Sequence, residues 1–257
     1  MDIKIPYTPR KHQAHLHRQI DKHRWNVLVC HRRFGKTVCM INHLIRSALL
    51  SKLKNPRFAY IAPTFKQAKS IAWDYMKQFT AKIPHTKFNE TELRVDLPNG
   101  SRITLLGSES PDGLRGIYLD GCVIDEYANV NSKLFPEIIR PALSDRKGYC
   151  VFIGTPMGMN NNFYELYQHA QGAEDWFNYK AKASDTNIVD EDELVKAKEV
   201  MGDKKYLQEF ECDWIANIEG AVYGDVIGKL DDKKQLSRVP YDPSLPVSTA
   251  WDLGVSD

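Results

Sequence analysis

No stretch of about eighteen apolar residues occurs anywhere in the 257-residue chain, and without one no helix spans a hydrocarbon core. The first residues, Met1 to Gln13, hold no apolar segment of the kind a secretory signal needs. The chain is therefore expected to stay in the cytoplasm where it is made. Cysteine is sparse: Cys30, Cys39, Cys122, Cys150 and Cys212. Their number is odd and none forms a CxxC pair, which argues against a zinc site or a disulfide framework. Cys122 and Cys150 sit in apolar runs and read as buried small hydrophobes. Internal repeats and low-complexity segments are also missing.

Net charge is small, +2, but unevenly spread. Residues 1–54 carry 12 Lys or Arg against 2 acids, whereas residues 185–257 carry 8 against 17. This fits differently solvated faces. It also fits a basic face for nucleic acid, or a head-to-tail contact between copies.

What is present is an alternation of short apolar runs and helical patterns. The runs are Trp25–Cys30, Phe58–Ala62, Cys122–Asp125 and Cys150–Ile153; helices are expected over Thr37–Leu50, Lys66–Ala81, Leu134–Leu143 and Phe163–Gln171. Buried strands alternating with helices predict an α/β fold, a mostly parallel sheet covered on both faces. Between the second and third runs, Leu93, Val95 and Leu97 share one face, and Pro98-Asn99-Gly100 turns the chain into Ser101–Leu106, predicting an inserted β-hairpin. After about Asp185 the chain becomes acidic and helical, with helices expected over Glu191–Met201 and Lys204–Trp214. The domains expected are a core over 1–184, a small helical lid over 185–239, and a linker with a new strand over 240–257.

The run ending at Cys30 leads through His31-Arg32-Arg33-Phe34-Gly35-Lys36-Thr37 into a helix. This is the context of a phosphate loop. The helix N-terminus offers free N–H groups and a positive dipole end. Gly35 lets the backbone approach a ligand, Lys36 reaches the β and γ phosphates, and the Thr37 hydroxyl suits Mg²⁺. The usual first glycine is absent; Cys30 stands there. Two arginines inside the loop are unusual, and one of them can act in cis.

Asp125 and Glu126 end an apolar strand about 90 residues later. Asp125 suits the ion and Glu126 the activation of water. Other residues read two ways on their own. Gln13 can contact adenine or be a surface amide. Arg115, in a glycine-rich loop, can complete a neighbour's active site or be solvated. Thr155 can sense a γ-phosphate or make a Thr-Pro turn. Arg94 and Arg102 on the hairpin can meet DNA phosphates or lie on a plain exposed face. His12, His15 and His17 lack acid or cysteine support and are expected on a solvated helix face.

Gln13, the glycine-deviant loop with its arginines, Ala62-Pro63-Thr64, Leu114-Arg115-Gly116, Ile124-Asp125-Glu126, Gly154-Thr155-Pro156 and the stretch Tyr206–Trp214 occur in this order. Together they resemble the large terminase subunits of tailed bacteriophages, RecA-like phosphate-loop ATPases with an added catalytic glutamate. The resemblance implies ATP and Mg²⁺ as ligands and ATP-driven pumping of double-stranded DNA into a procapsid from the host cytoplasm. It implies Gln13 as adenine reader, Arg32 as cis arginine, Lys36 and Thr37 as phosphate and magnesium ligands, and Arg115 as a trans-acting finger. Asp125 and Glu126 match the acidic pair and Thr155 the coupling residue. Arg10, beside Gln13, and Arg33, beside Arg32, join the nucleotide-binding set. The partners implied are other copies in a head-to-tail ring on the capsid portal and the small terminase subunit. The family carries a C-terminal nuclease of RNase H type; Thr249–Gly254 resembles its first strand, with Asp252 and Asp257 as remnant acids, and metal-dependent cutting is not expected.

Two other functions compete. A helicase of the same ATPase division needs a second RecA-like domain, for which the region after Asp185 is too small and acidic. A nucleotide-gated DNA-binding assembly module does not need Glu126.

Overall fold

The largely apolar runs form the middle of the sheet. In the computed structural model, β1 (Trp25–Cys30) and β6 (Gly121–Asp125) are buried at every residue, and β2 (Arg57–Ala62) and β7 (Tyr149–Gly154) at all but the first. Strands covered on both faces need no polar alternation. Residues 5–215 are described and, beyond them, only residues 230, 235, 243, 244 and 248. The chain divides into two compact units, Met1–Asn217 and Ile218–Asp257; the fold and the site lie in the first. Asp252, Asp257 and the expected nuclease strand lie outside the described residues.

Eight strands form one sheet in the order β3-β4-β5-β2-β6-β7-β1-β8, with β3 at Lys87–Asn89, β4 at Arg94–Asp96, β5 at Arg102–Gly107 and β8 at Trp176–Ala181. From β5 to β8 all pairings are parallel; β3, β4 and β5 pair antiparallel. One face is covered by α2 (Lys36–Leu50) and by α3, a helical segment over residues 65–80 with a π-turn at Ala68–Trp73. Leu44, Ile45, Trp73 and Met76 pack there on Leu28, Tyr60 and Val123. The other face is covered by α4 (residues 134–142, a π-turn at Leu134–Ile139 continuing into Arg140–Ala142) and α5 (Asn162–Gly172). Ile138 and Phe163 meet Val27, Ile124 and Phe152 on this side. Neighbours along a strand point to opposite faces, so Val123 and Ile124 belong to different cores.

Several expectations are corrected. The hairpin is present, with Leu93, Val95 and Leu97 buried, but its return strand β5 also pairs in parallel with β2 and so belongs to the main sheet. β8 adds an unexpected edge. The stretch expected as a lid begins with α6 (Ala183–Thr186) and α7 (Glu191–Glu209), the latter broken at Gly202 (φ 75°, ψ 162°). α7 stops at Glu209 rather than Trp214; Cys212 turns left-handed (φ 54°) and the Asp213 N–H returns to the Leu207 carbonyl, 3.0 Å. The histidines on α1 (Lys11–Ile20) are not a solvated face. His12 meets the Tyr179 hydroxyl (2.6 Å), His15 packs on Phe177 and Tyr179, and His17 stacks on His43 with 3.0 Å between their Nδ1 atoms. All five cysteines are buried free thiols.

Candidate active site

β1, β7 and β6 are parallel neighbours, so their C-terminal ends, Cys30, Gly154 and Asp125, share one edge of the sheet. Crevices at such edges are where open α/β sheets hold ligands. The loop after β1 enters α2 through Gly35, whose backbone is left-handed (φ 85°). A side chain there is doubly disfavoured, because an added Cβ would lie 2.9 Å from Gln13 Nε2.

Lys36, at the first turn of α2, donates to Thr155 Oγ1 (3.0 Å) and to the Cys30 carbonyl (3.3 Å), and its ammonium lies 3.9 Å from Glu126 Oε1. Three residues expected to act together thus meet. Glu126 has left-handed backbone (φ 46°, ψ 48°), strain of a kind that collects at functional sites. Burial raises the pKa of its carboxyl; Lys36 opposes the shift, while Asp125 and Glu209 add to it. A carboxyl held partly toward neutrality is suited to proton transfer near working pH. Asp125 is buried, and burial raises its pKa too, against the pull of Tyr60 and Lys36.

Tyr60 carries no sequence signal of a site residue. It sits mid-strand in β2, fully buried, and its hydroxyl donates to Asp125 Oδ2, while Asp125 Oδ1 accepts the Glu126 N–H at 2.9 Å. Both carboxylate oxygens are held, so their orientation is fixed. Thr37 approaches the same hydroxyl. The Thr37 hydroxyl and Asp125 carboxylate are hard oxygen donors of the type Mg²⁺ takes.

Gln13 is buried against the loop. Its amide donates to the Phe34 and Gly35 carbonyls (3.4 and 3.3 Å) and accepts the Arg10 N–H (3.0 Å), so it braces the phosphate loop from behind. Arg10, Arg32 and Arg33 line a cleft of about 730 Å³ together with Ile188, Asp190, Glu193 and Phe210. The loop is also tied to the later chain. His31 N–H donates to the Ala181 carbonyl (3.0 Å) and Arg32 N–H to the Glu209 carbonyl (2.7 Å). His31 Nδ1 lies 2.6 Å from the Arg32 carbonyl, which only accepts, so Nδ1 carries the proton and Nε2 accepts from the Thr186 hydroxyl at 2.8 Å. Burial lowers the His31 pKa, in keeping with that neutral ring. Gln208, buried, donates to the Pro156 carbonyl at 2.6 Å, next to Thr155.

Arg115 stands apart. Its guanidinium pairs with Asp112 (2.8 Å) and approaches Glu137 (4.0 Å), and its side chain is 63% exposed. β5, the strand its loop leaves, is four positions from β1, on the order of 19 Å across the sheet. Arg94 and Arg102 share a sheet face, but Asp96 pairs with both, at 3.1 and 2.6 Å, and Glu92 pairs with Arg94. Their charge is locally neutralised.

Residues 29–224 match the model of the family described as terminase large subunit, T4likevirus-type, N-terminal. The large terminase subunit of Thermus phage G20c is 30% identical over 126 residues, covering 42% of this chain and 26% of that protein. The chain thus matches about a quarter of that relative's length. Among solved structures, the large terminase ATPase domain of Thermus phage P74-26 superposes with a TM-score of 0.69 at 22% identity, over 82% of this chain and 95% of that one. The large terminase of another thermophilic bacteriophage, in complex with ADP, gives 0.69 at 16%, over 79% and 53%. At these identities the structural likeness establishes the fold.

Proposed function

The chain belongs to the terminase large subunit family, matching its T4-like N-terminal part, and from that premise we propose that it hydrolyses ATP to drive double-stranded DNA into a procapsid. The observation that carries the reading is the position of Lys36, within reach of Thr155, the Cys30 carbonyl and Glu126 at once.

In this reading the α2 N-terminus and Lys36 take the β and γ phosphates. A triphosphate that claims Lys36 draws it from Glu126, whose carboxylate is then left to orient a water and accept its proton. Arg32 offers charge from within the loop. Thr155, bonded to the same ammonium, registers whether phosphate is present, and Gln208 on Pro156 carries that change toward the lid. Thr37 and Asp125 would hold Mg²⁺, which when bound neutralises charge on the phosphate oxygens. Gln13 and Arg10 keep the loop in shape beside the base, and Arg33 faces the cleft. Arg115 is left for the nucleotide of the next copy in a head-to-tail ring on the portal, with the small terminase subunit as a further partner.

The test is steady-state phosphate release by the chain, with and without duplex DNA. Release above the background of Glu126→Gln, dependent on Mg²⁺, is expected; release no faster than that background would overturn the reading.

A further inference from the structure

The edge of the sheet opposite the phosphate loop is lined by cations. β2, β6, β7 and β1 are parallel neighbours, so the residues that start them share one edge. Each of these strands has five or six residues, which puts this edge about 20 Å from the nucleotide loops. Arg57 opens β2, Lys147 sits just before β7, and Arg24 just before β1. Arg146 and Lys54 lie beside Arg57, and Arg140 beside Arg24: the Arg146 guanidinium donates to the Lys54 carbonyl (2.8 Å), and Arg24 and Arg140 both lie over the Trp25 ring, at 4.6 and 4.9 Å from its centre.

These guanidiniums are fixed, and mostly by groups without charge. Arg24 donates to the Gly148 and Leu143 carbonyls, both at 3.0 Å. Arg57 donates to the Pro56 and Gly100 carbonyls (3.1 and 3.2 Å), and Arg140 to the Ser144 hydroxyl (3.1 Å). Arg57 and Arg146 both lie over the Tyr118 ring, at 5.9 and 5.0 Å. A carbonyl or a ring orients a guanidinium without cancelling its charge. The carboxylates nearby are fewer: Asp120 is buried and bound to Arg146 (3.0 Å), Asp145 adjoins Arg146 in the chain, and Asp175 faces Arg24. Arg24 and Arg140 are held close as like charges, an arrangement that an anion relieves.

We infer that this edge is a docking surface for the phosphate backbone of duplex DNA, separate from the hairpin arginines. The inference rests on the proposed DNA-pumping role. Three strand spacings separate Arg57 from Arg24, about 14 Å. That is of the order of the ~12 Å width of the major groove, so the two arginine groups suit the two backbones flanking it. Oriented guanidiniums match the geometry of phosphate oxygens, and contacts to phosphate carry no base code, as a motor that must grip every sequence requires. The hairpin pair, by contrast, already has Asp96 and Glu92 as partners.

The test uses the triple variant Lys54→Gln, Arg140→Gln, Lys147→Gln, all three exposed and remote from the phosphate loop. Binding to a fluorescent duplex of arbitrary sequence is followed across a salt series, with a fluorescent ATP analogue as the check on folding. The triple variant should bind the analogue normally, lose at least ~10-fold in duplex affinity at low salt, and show a log–log salt slope shallower by about 2–3, the loss of that many phosphate contacts. If the unmodified chain binds duplex and the variant matches it in affinity and slope, this surface is not the one, and the DNA reading stands. If the unmodified chain binds no duplex, both readings fall. If the variant keeps duplex binding but loses binding to an acidic polypeptide such as polyglutamate, the edge serves a protein partner and the inference is overturned.

Discussion

The Lys36 ammonium donates to Thr155 Oγ1 at 3.0 Å, joining the phosphate loop to the end of the strand beside it. The contact exists because β7 lies between β1 and β6, so whatever follows β7 stands between Lys36 and the pair Asp125 and Glu126. If this hydroxyl couples phosphate to the lid, its removal should uncouple rather than unfold. Thr155→Ala is expected to reduce turnover by ~10-fold or more, the scale of a lost hydrogen bond to a charged group, with ATP affinity little changed. Thr155→Ser should restore most of it. Equal turnover in Ala and Ser variants would remove the hydroxyl from the mechanism.

Glu126→Gln keeps the shape of the side chain and removes its basicity. It should bind ATP as well as the unmodified chain and lose 10²-fold or more in turnover, measured by phosphate release under saturating ATP. Unchanged turnover would assign the base elsewhere.

Tyr60→Phe deletes one hydroxyl from a buried position that orients Asp125. The expected result is a higher Mg²⁺ concentration for half-maximal tightening of a fluorescent ADP analogue, with binding of the same analogue in chelator unaffected. A purely structural tyrosine would lower thermal stability and leave that Mg²⁺ dependence where it was.

His17 and His43 set a pH limit on the fold. Burial lowers the pKa of both, to about 4 and about 3, from an ordinary value of 6.5. Below 6.5 the unfolded chain takes up protons that the folded chain refuses. Their contribution is therefore fully present above pH 6.5 and is lost as pH falls toward 4, by about 1.4 kcal/mol per histidine per pH unit. Melting temperature across this range should fall less steeply in His43→Phe than in the unmodified chain; identical slopes would show that the pair is not the titrating element.

Arg115→Ala is expected to stop hydrolysis in an assembled ring while single-chain ATP affinity persists, an arginine finger being worth ~10³–10⁵ in rate. Mixed with Glu126→Gln, it should regain activity across shared interfaces. A mixture that co-assembles and stays inactive would place Arg115 outside the neighbour's site.

Much of this is legible in the sequence where burial is local. β1, β2, β6 and β7 are largely apolar runs, and the helices expected near them begin and end within a residue or two of expectation, although two of them hold π-turns that no apolar spacing announced. β8 escapes such a reading because its residues are half-buried at an edge and alternate aromatics with Asn178 and Lys180. Tyr60 escapes because an aromatic residue inside a buried strand reads as core; only the fold brings Asp125 to its hydroxyl. The histidines of α1 read as solvated because their partners, His43, Phe177 and Tyr179, are distant in the chain. The ties from the phosphate loop to Ala181 and Glu209 are main-chain bonds, which no side-chain pattern records.

That last property sets how this protein can drift. The bond from the Arg32 N–H to the Glu209 carbonyl asks nothing of either side chain. This one contact survives a change of either side chain, provided the number of residues between them and the path they follow are kept. What position 32 cannot accept is proline, which has no N–H to give. The bond itself is thus kept by spacing and by one forbidden residue, and any further demand on position 32 comes from the guanidinium facing the cleft.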